Sequence, residues 1–159
     1  MTSMFDIDWT GLVSLLAWVS LVSFVFAKVE IQIEGKQGWA AALPTWRIEK
    51  HWLLDLFWGG RPMTGYHAWM FFFILLMFHL GFAITGIWTW VLEFRVLAAI
   101  AMFWLIEDFL WFVLNPDYGI KNFTKSKIPW HPRWFLGMPA DYWVMGSIGI
   151  AVLLWTFAA

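Results

Sequence analysis

The sequence predicts an all-α membrane protein: four transmembrane helices with one amphipathic helix lying in the interface on the cytoplasmic side. Three observations carry this. The 159 residues are 62% hydrophobic and 13% charged, about half the ~25% charged content of a soluble domain. Four apolar runs approach or exceed the ~20 residues that a helix needs to cross hydrocarbon. The basic residues gather in two long connections rather than spreading along the chain. Residues 1–159 read as a single polytopic domain with spans at about 9–27, 66–85, 90–115 and 142–159.

Met1 to Asp8 holds Asp6 and Asp8 and no Lys or Arg, unlike the basic start of a secretory signal. The first apolar segment is therefore expected to be retained. Asp8 or Thr10 can cap it, and Lys28 closes it. Beyond Lys28, Val29, Ile31 and Ile33 alternate with Glu30, Gln32 and Glu34, a period-two pattern that predicts a short strand or extended edge. Gly35 to Gly38 is a turn and Pro44 a boundary. Arg47 to Trp58 then predicts the interfacial helix, with Ile48, Trp52, Leu53 and Leu56 on its apolar side. Gly59-Gly60-Arg61-Pro62 turns the chain into the second span.

The second and third spans are joined only by Gly86-Ile87-Trp88-Thr89, so they form an antiparallel hairpin. Trp88 and Trp90 suit the headgroup layer, and Asn115-Pro116-Asp117-Tyr118-Gly119 stops the third span. The connection that follows is stiffened by Pro129 and Pro132 between Trp130 and Trp134. In the last span, Gly146 and Gly149 share a side that allows close approach of another helix or a neighbouring molecule.

Charge and composition narrow the function. A net charge of −1 without a basic stripe argues against nucleic acid as a partner. The absence of cysteine excludes disulfides, thiolate metal sites and thiol nucleophiles. Lys28, Lys36, Arg47, Lys50, Arg61, Lys121, Lys125, Lys127 and Arg133 all fall on the side of the two long connections; of the ten basic residues, Arg95 alone lies toward the other. The positive-inside bias then places those connections in the cytoplasm and both termini outside, in a plasma (inner) membrane.

The candidates for chemistry are the ionisable residues inside the apolar runs. Glu107 and Asp108 lie about eight residues into the third span, roughly 12 Å deep at 1.5 Å per residue. A charge at mid-membrane costs ~2.5–3.5 kcal/mol on insertion scales. Two adjacent acids therefore act as metal ligands, proton acceptors or cofactor contacts, or else are protonated or paired. His67 and His131 map to the same interface, so His67, Glu107, Asp108 and His131 form the candidate metal set; imidazole with carboxylate suits zinc or non-haem iron. His51 belongs to that interface too, with Asp55 at i, i+4 on the presumed solvated face. His79, deep in the second span, is the candidate cofactor ligand, for haem iron or chlorophyll magnesium, or else is satisfied by a polar neighbour. No cofactor is specified by any motif, and no catalytic residue stands out: nucleotide-binding loops, HExxH and Ser-His-Asp order are missing from the sequence.

Ile33-Glu34-Gly35-Lys36-Gln37-Gly38-Trp39-Ala40, Leu43-Pro44-Thr45-Trp46-Arg47 and Glu107-Asp108-Phe109-Leu110-Trp111-Phe112-Val113-Leu114-Asn115-Pro116 resemble a family of small prokaryotic multi-span membrane proteins with no assigned activity. The resemblance covers most of the chain after Lys28; it implies the threading and no chemistry. Two functional expectations follow from the residues. The leading one is an accessory or packing subunit of a larger membrane complex or homo-oligomer, contacting lipid bilayer and other subunits and binding lipid, quinone or pigment. The alternative is a membrane enzyme with a cytoplasm-facing His/carboxylate metal centre acting on a lipid or quinone.

Overall fold

The computed structural model describes residues 6–57 and 60–159. Its order is α1 (Trp9–Glu34), β1 (Arg47–Ile48), α2 (Trp52–Phe57), β2 (Met63–Thr64), α3 (Gly65–Thr85), α4 (Trp90–Leu114), a 3-10 turn (Ile120–Asn122), β3 (Trp134–Phe135), β4 (Met138–Pro139) and α5 (Ala140–Ala158). Helices α1, α3, α4 and α5 are long and apolar enough to cross a membrane, so the architecture is all-α with four spans.

Helix α4 is the centre. It packs most extensively on α1 and α5, while α3 touches it more sparingly. The α1/α4/α5 core is built on Val19, Ala98, Met102, Phe103 and Leu153. Gly149 and Gly146 let α5 settle on α4: a Cβ at Gly149 would meet Met102 Sδ at 3.0 Å, and one at Gly146 would meet Leu105 Cδ1 at 3.2 Å. The small-residue side of the last span is therefore spent inside the chain, rather than on a neighbouring molecule. Asn115 Nδ2 donates to the Gly35 carbonyl at 2.9 Å, and Asp8 N to the Phe157 carbonyl at 3.0 Å. These bonds place the C-terminal ends of α1 and α4 at one level and make α5 antiparallel to both.

Two expectations are corrected. Residues 29–34 are not a strand: α1 continues unbroken to Glu34, after Asp8 caps its start by accepting from Gly11 N. Ala27, Glu30, Ile31 and Glu34 are buried, a helical stripe, and Ile31 joins Trp111 and Phe112 in a second aromatic core. Packing of that face overrides the β-leaning propensity of Val29, Ile31 and Ile33. The interfacial helix is also shorter than expected. Only Trp52–Phe57 is helical, because Arg47–Ile48 pairs with Met63–Thr64 and Arg47 donates to the carbonyls of Trp39 and Ala40. The expected end of that helix, Trp58, and Gly59 of the following turn lie outside the described residues, as do Met1 to Phe5.

Candidate metal centre

At the loop-side end of the bundle the helices enclose a cavity of about 460 Å³, within the range of small-molecule sites. Its polar lining comes from four helices and a loop: Glu30 and Glu34 from α1, His67 from α3, Glu107 and Asp108 from α4, Asp141 and Tyr142 from α5, and Arg61.

Glu30 and Glu34 are one turn apart on α1, so the extended helix puts both carboxylates on one face. With His67 they form a buried triad whose ligand-type atoms lie within 4.8 Å of one another. Among the described residues this is the one such group of three. His67 Nε2 is 3.6 Å from Glu34 Oε1. Its other nitrogen, Nδ1, lies 2.7 Å from Thr64 Oγ1, and its ring stacks on Trp39 at 4.0 Å between centroids. Thr64 is fully buried and fixed by the β1–β2 pair. A Cβ on the next residue, Gly65, would lie 2.6 Å from Thr45 Oγ1 and from Trp46 Nε1, so only glycine admits this approach.

Glu107 lines the same cavity next to this triad, outside the group whose ligand atoms lie within 4.8 Å of one another. It is 2% exposed, its carboxyl lies within hydrogen-bonding reach of Glu30, and Oε1 is buried with no hydrogen-bond partner. Two carboxyl groups at that separation repel unless a proton or a cation lies between them. Three carboxylates and one imidazole, with His67 Nδ1 turned to a hydroxyl so that Nε2 faces the acids, are a ligand set and a ring orientation that a divalent metal uses.

The loop after α1 closes the site from above. Glu34 Oε1 accepts from Ala40 N at 2.5 Å, and Trp39 Nε1 donates to the Pro62 carbonyl at 2.8 Å. Trp39 and Ala40 adopt positive φ, 46° and 51°, a region that costs non-glycine residues energy and recurs at functional sites. Gly38 at φ +66° faces Trp130 so closely that a Cβ would meet Cη2 at 2.8 Å.

Asp108 belongs to a separate, self-balanced network. Tyr142 donates its hydroxyl to Asp108, and His131 Nε2 lies 3.0 Å from Asp108 Oδ2, at an angle outside hydrogen-bond geometry. His131 Nδ1 is 3.4 Å from Asp141 Oδ1, and Arg61 pairs with Asp141. Burial pushes the His131 imidazole down; the Asp108 and Asp141 carboxylates push it up and win, so its pKa is raised. Arg61, whose Nη2 is 2.7 Å from Nδ1, opposes that rise but is the smallest influence.

The structure thus places three of the four expected metal residues, His67, Glu107 and Asp108, on the wall of one cavity, while His131 reaches it through Asp108. His67 belongs to the triad and Glu107 lies beside it; Asp108 and His131 pair with each other. Glu30 and Glu34 were missed because their segment reads as an alternating strand. The available signal was the Glu-x-x-x-Glu spacing continuing an apolar helix. His51 is exposed and stacks on Trp52, away from the cavity. His79 lies near the opposite end, where Nδ1 meets the Leu75 carbonyl at 2.6 Å and Nε2 meets Glu93 Oε1 at 3.1 Å. Both of its ring nitrogens have protein partners. No protein-family model, curated protein or solved structure matches the chain.

Proposed function

We propose that the chain is a membrane-embedded metalloenzyme whose Glu30, Glu34, Glu107 and His67 hold one divalent transition metal in the cytoplasmic leaflet and act on a lipid-soluble substrate. The observation carrying this reading is the buried Glu30–Glu34–His67 triad with the partnerless Glu107 Oε1 beside it. Such a metal would supply Lewis-acid or redox chemistry. The chain's own residues orient and balance it: Thr64 turns the His67 ring, Ala40 N and the Trp39 indole fix Glu34 and His67, and the Asp108–Tyr142 pair holds a proton at the cavity wall.

Metal analysis of protein purified in mild detergent without chelator tests this. One equivalent of iron, manganese or zinc is expected in the wild type and loss of it in Glu30→Gln and Glu34→Gln, with His79→Gln unaffected. A metal-free wild type that also fails to take up these ions sinks the reading.

A packing-subunit role is favoured by a different feature. Helix α3 leaves nearly all of its apolar span uncovered, with Trp69, Phe72, Phe73 and Ile84 more than half exposed. Native mass measurement separates a lone chain from an assembly.

A further inference from the structure

The cavity wall changes character with depth. Below the carboxylates it is made of Phe71, Trp104, Leu105 and Met145, with Trp104 about one helical turn beyond Asp108. Pro132 and Arg133 on the loop line the cavity and are exposed, and so are two apolar helix residues that line it, Val144 at 57% and Leu56 at 66%. A residue on both surfaces marks an opening. This one lies between α2 and the second turn of α5, where Val144 sits roughly 6 Å into a helix long and apolar enough to cross a membrane.

Charge inside the cavity restricts what comes through that opening. Arg61 offsets Asp141, and His131 offsets Asp108. Glu30, Glu34 and Glu107 remain, and a divalent cation leaves them one net negative charge, with the exposed Arg133 at the rim. This balance rests on the metal reading above. An anionic head brought into such a site would lose its hydration and face carboxylates on three sides, with Arg61 already paired to Asp141. An uncharged oxygen would not. One buried donor is waiting for such an atom: Trp111 is 4% exposed and lines the cavity, and its Nε1 has no hydrogen-bond partner. A buried donor left unsatisfied is costly, and a bound acceptor removes that cost.

We propose that the ligand is an uncharged single-chain lipid ending in a carbonyl or hydroxyl oxygen. It enters sideways from the bilayer between α2 and α5, and its oxygen accepts from Trp111 Nε1. Its chain lies along the apolar wall and leaves past Val144.

The test uses the full chain in phosphatidylcholine nanodiscs with tritiated hexadecanol as probe and hexadecanoate and hexadecyl phosphate as competitors of identical tail. Saturable binding of hexadecanol is expected, with both anionic competitors weaker by about tenfold or more. Val144→Trp, which fills the opening from an exposed position, should weaken binding by about tenfold and leave metal content unchanged. Trp111→Phe should weaken it roughly two- to tenfold, the worth of one hydrogen bond. Equal or better competition by either anion, undiminished binding in Val144→Trp, or no saturable binding overturns the proposal. Metal measured on the same samples separates the two readings. A metal-loaded wild type that ignores hexadecanol overturns only the lipid site. A metal-free wild type that binds it overturns only the metal centre.

Discussion

Thr64 holds His67 from two directions: its hydroxyl accepts the His67 backbone N–H at 3.2 Å and meets Nδ1 at 2.7 Å. The imidazole is thereby turned before any ion arrives. Outer partners of this kind are worth about 10–100-fold in metal affinity. Thr64→Val, which keeps the shape and removes the hydroxyl, should therefore weaken metal binding by that order in a competitive chelator titration; unchanged affinity would show that Trp39 stacking alone sets the ring. The acids teach a different lesson. Glu107 and Asp108 were legible as intramembrane charges, but their division of labour was not, because adjacent residues point about 100° apart and only the packed neighbours decide which face meets what. Glu107 follows Phe103 and precedes Trp111 on the buried stripe, while Asp108 turns to Tyr142 and His131. Glu30 and Glu34 were hidden for a related reason. Alternation over six residues fits a strand and an interfacial helix end equally well until the partner surface is known.

At the scale of elements, the four spans were legible from length and apolarity alone, and their bounds moved by only one or two residues at α3, α4 and α5. The seven-residue continuation of α1 and the β1–β2 clip were not, since both depend on contacts distant in sequence: Asn115 with Gly35, and Arg47 with the Trp39 and Ala40 carbonyls. That clip delivers the N-terminus of α3, so Gly65→Ala should destabilise the fold by on the order of 1–3 kcal/mol, read as a lower midpoint in thermal denaturation in detergent; a neutral result would mean that Thr45 and Trp46 yield easily. The loop carrying His131 gives a pH prediction. Its pKa is raised in the folded protein above an unfolded value of about 6.5. The stability it contributes is therefore fully present below that value and lost as pH rises through the higher folded one. The stability gap between wild type and His131→Gln should be largest near pH 5.5 and shrink toward alkaline pH. A gap that grows with pH would contradict the assignment of charge to that ring.

For the whole molecule, one bundle end carries the polar site and both long connections, and the other carries the Gly86–Thr89 turn. With that arrangement, Lys36 and Lys125 share a leaflet, and a membrane-impermeant amine reagent should label both from the same side of sealed vesicles; labelling from opposite sides would dismantle the threading. Placing acids, imidazoles and an apolar-walled cavity at one end lets a single site face ions from the aqueous side and lipid from the other. The measurement that bears most directly on this is pulsed electron paramagnetic resonance of the manganese-loaded protein. One nitrogen coupling is expected, abolished in His67→Gln and preserved in His131→Gln. A coupling that survives loss of His67, or that disappears with His131, would place the metal elsewhere and contradict the account.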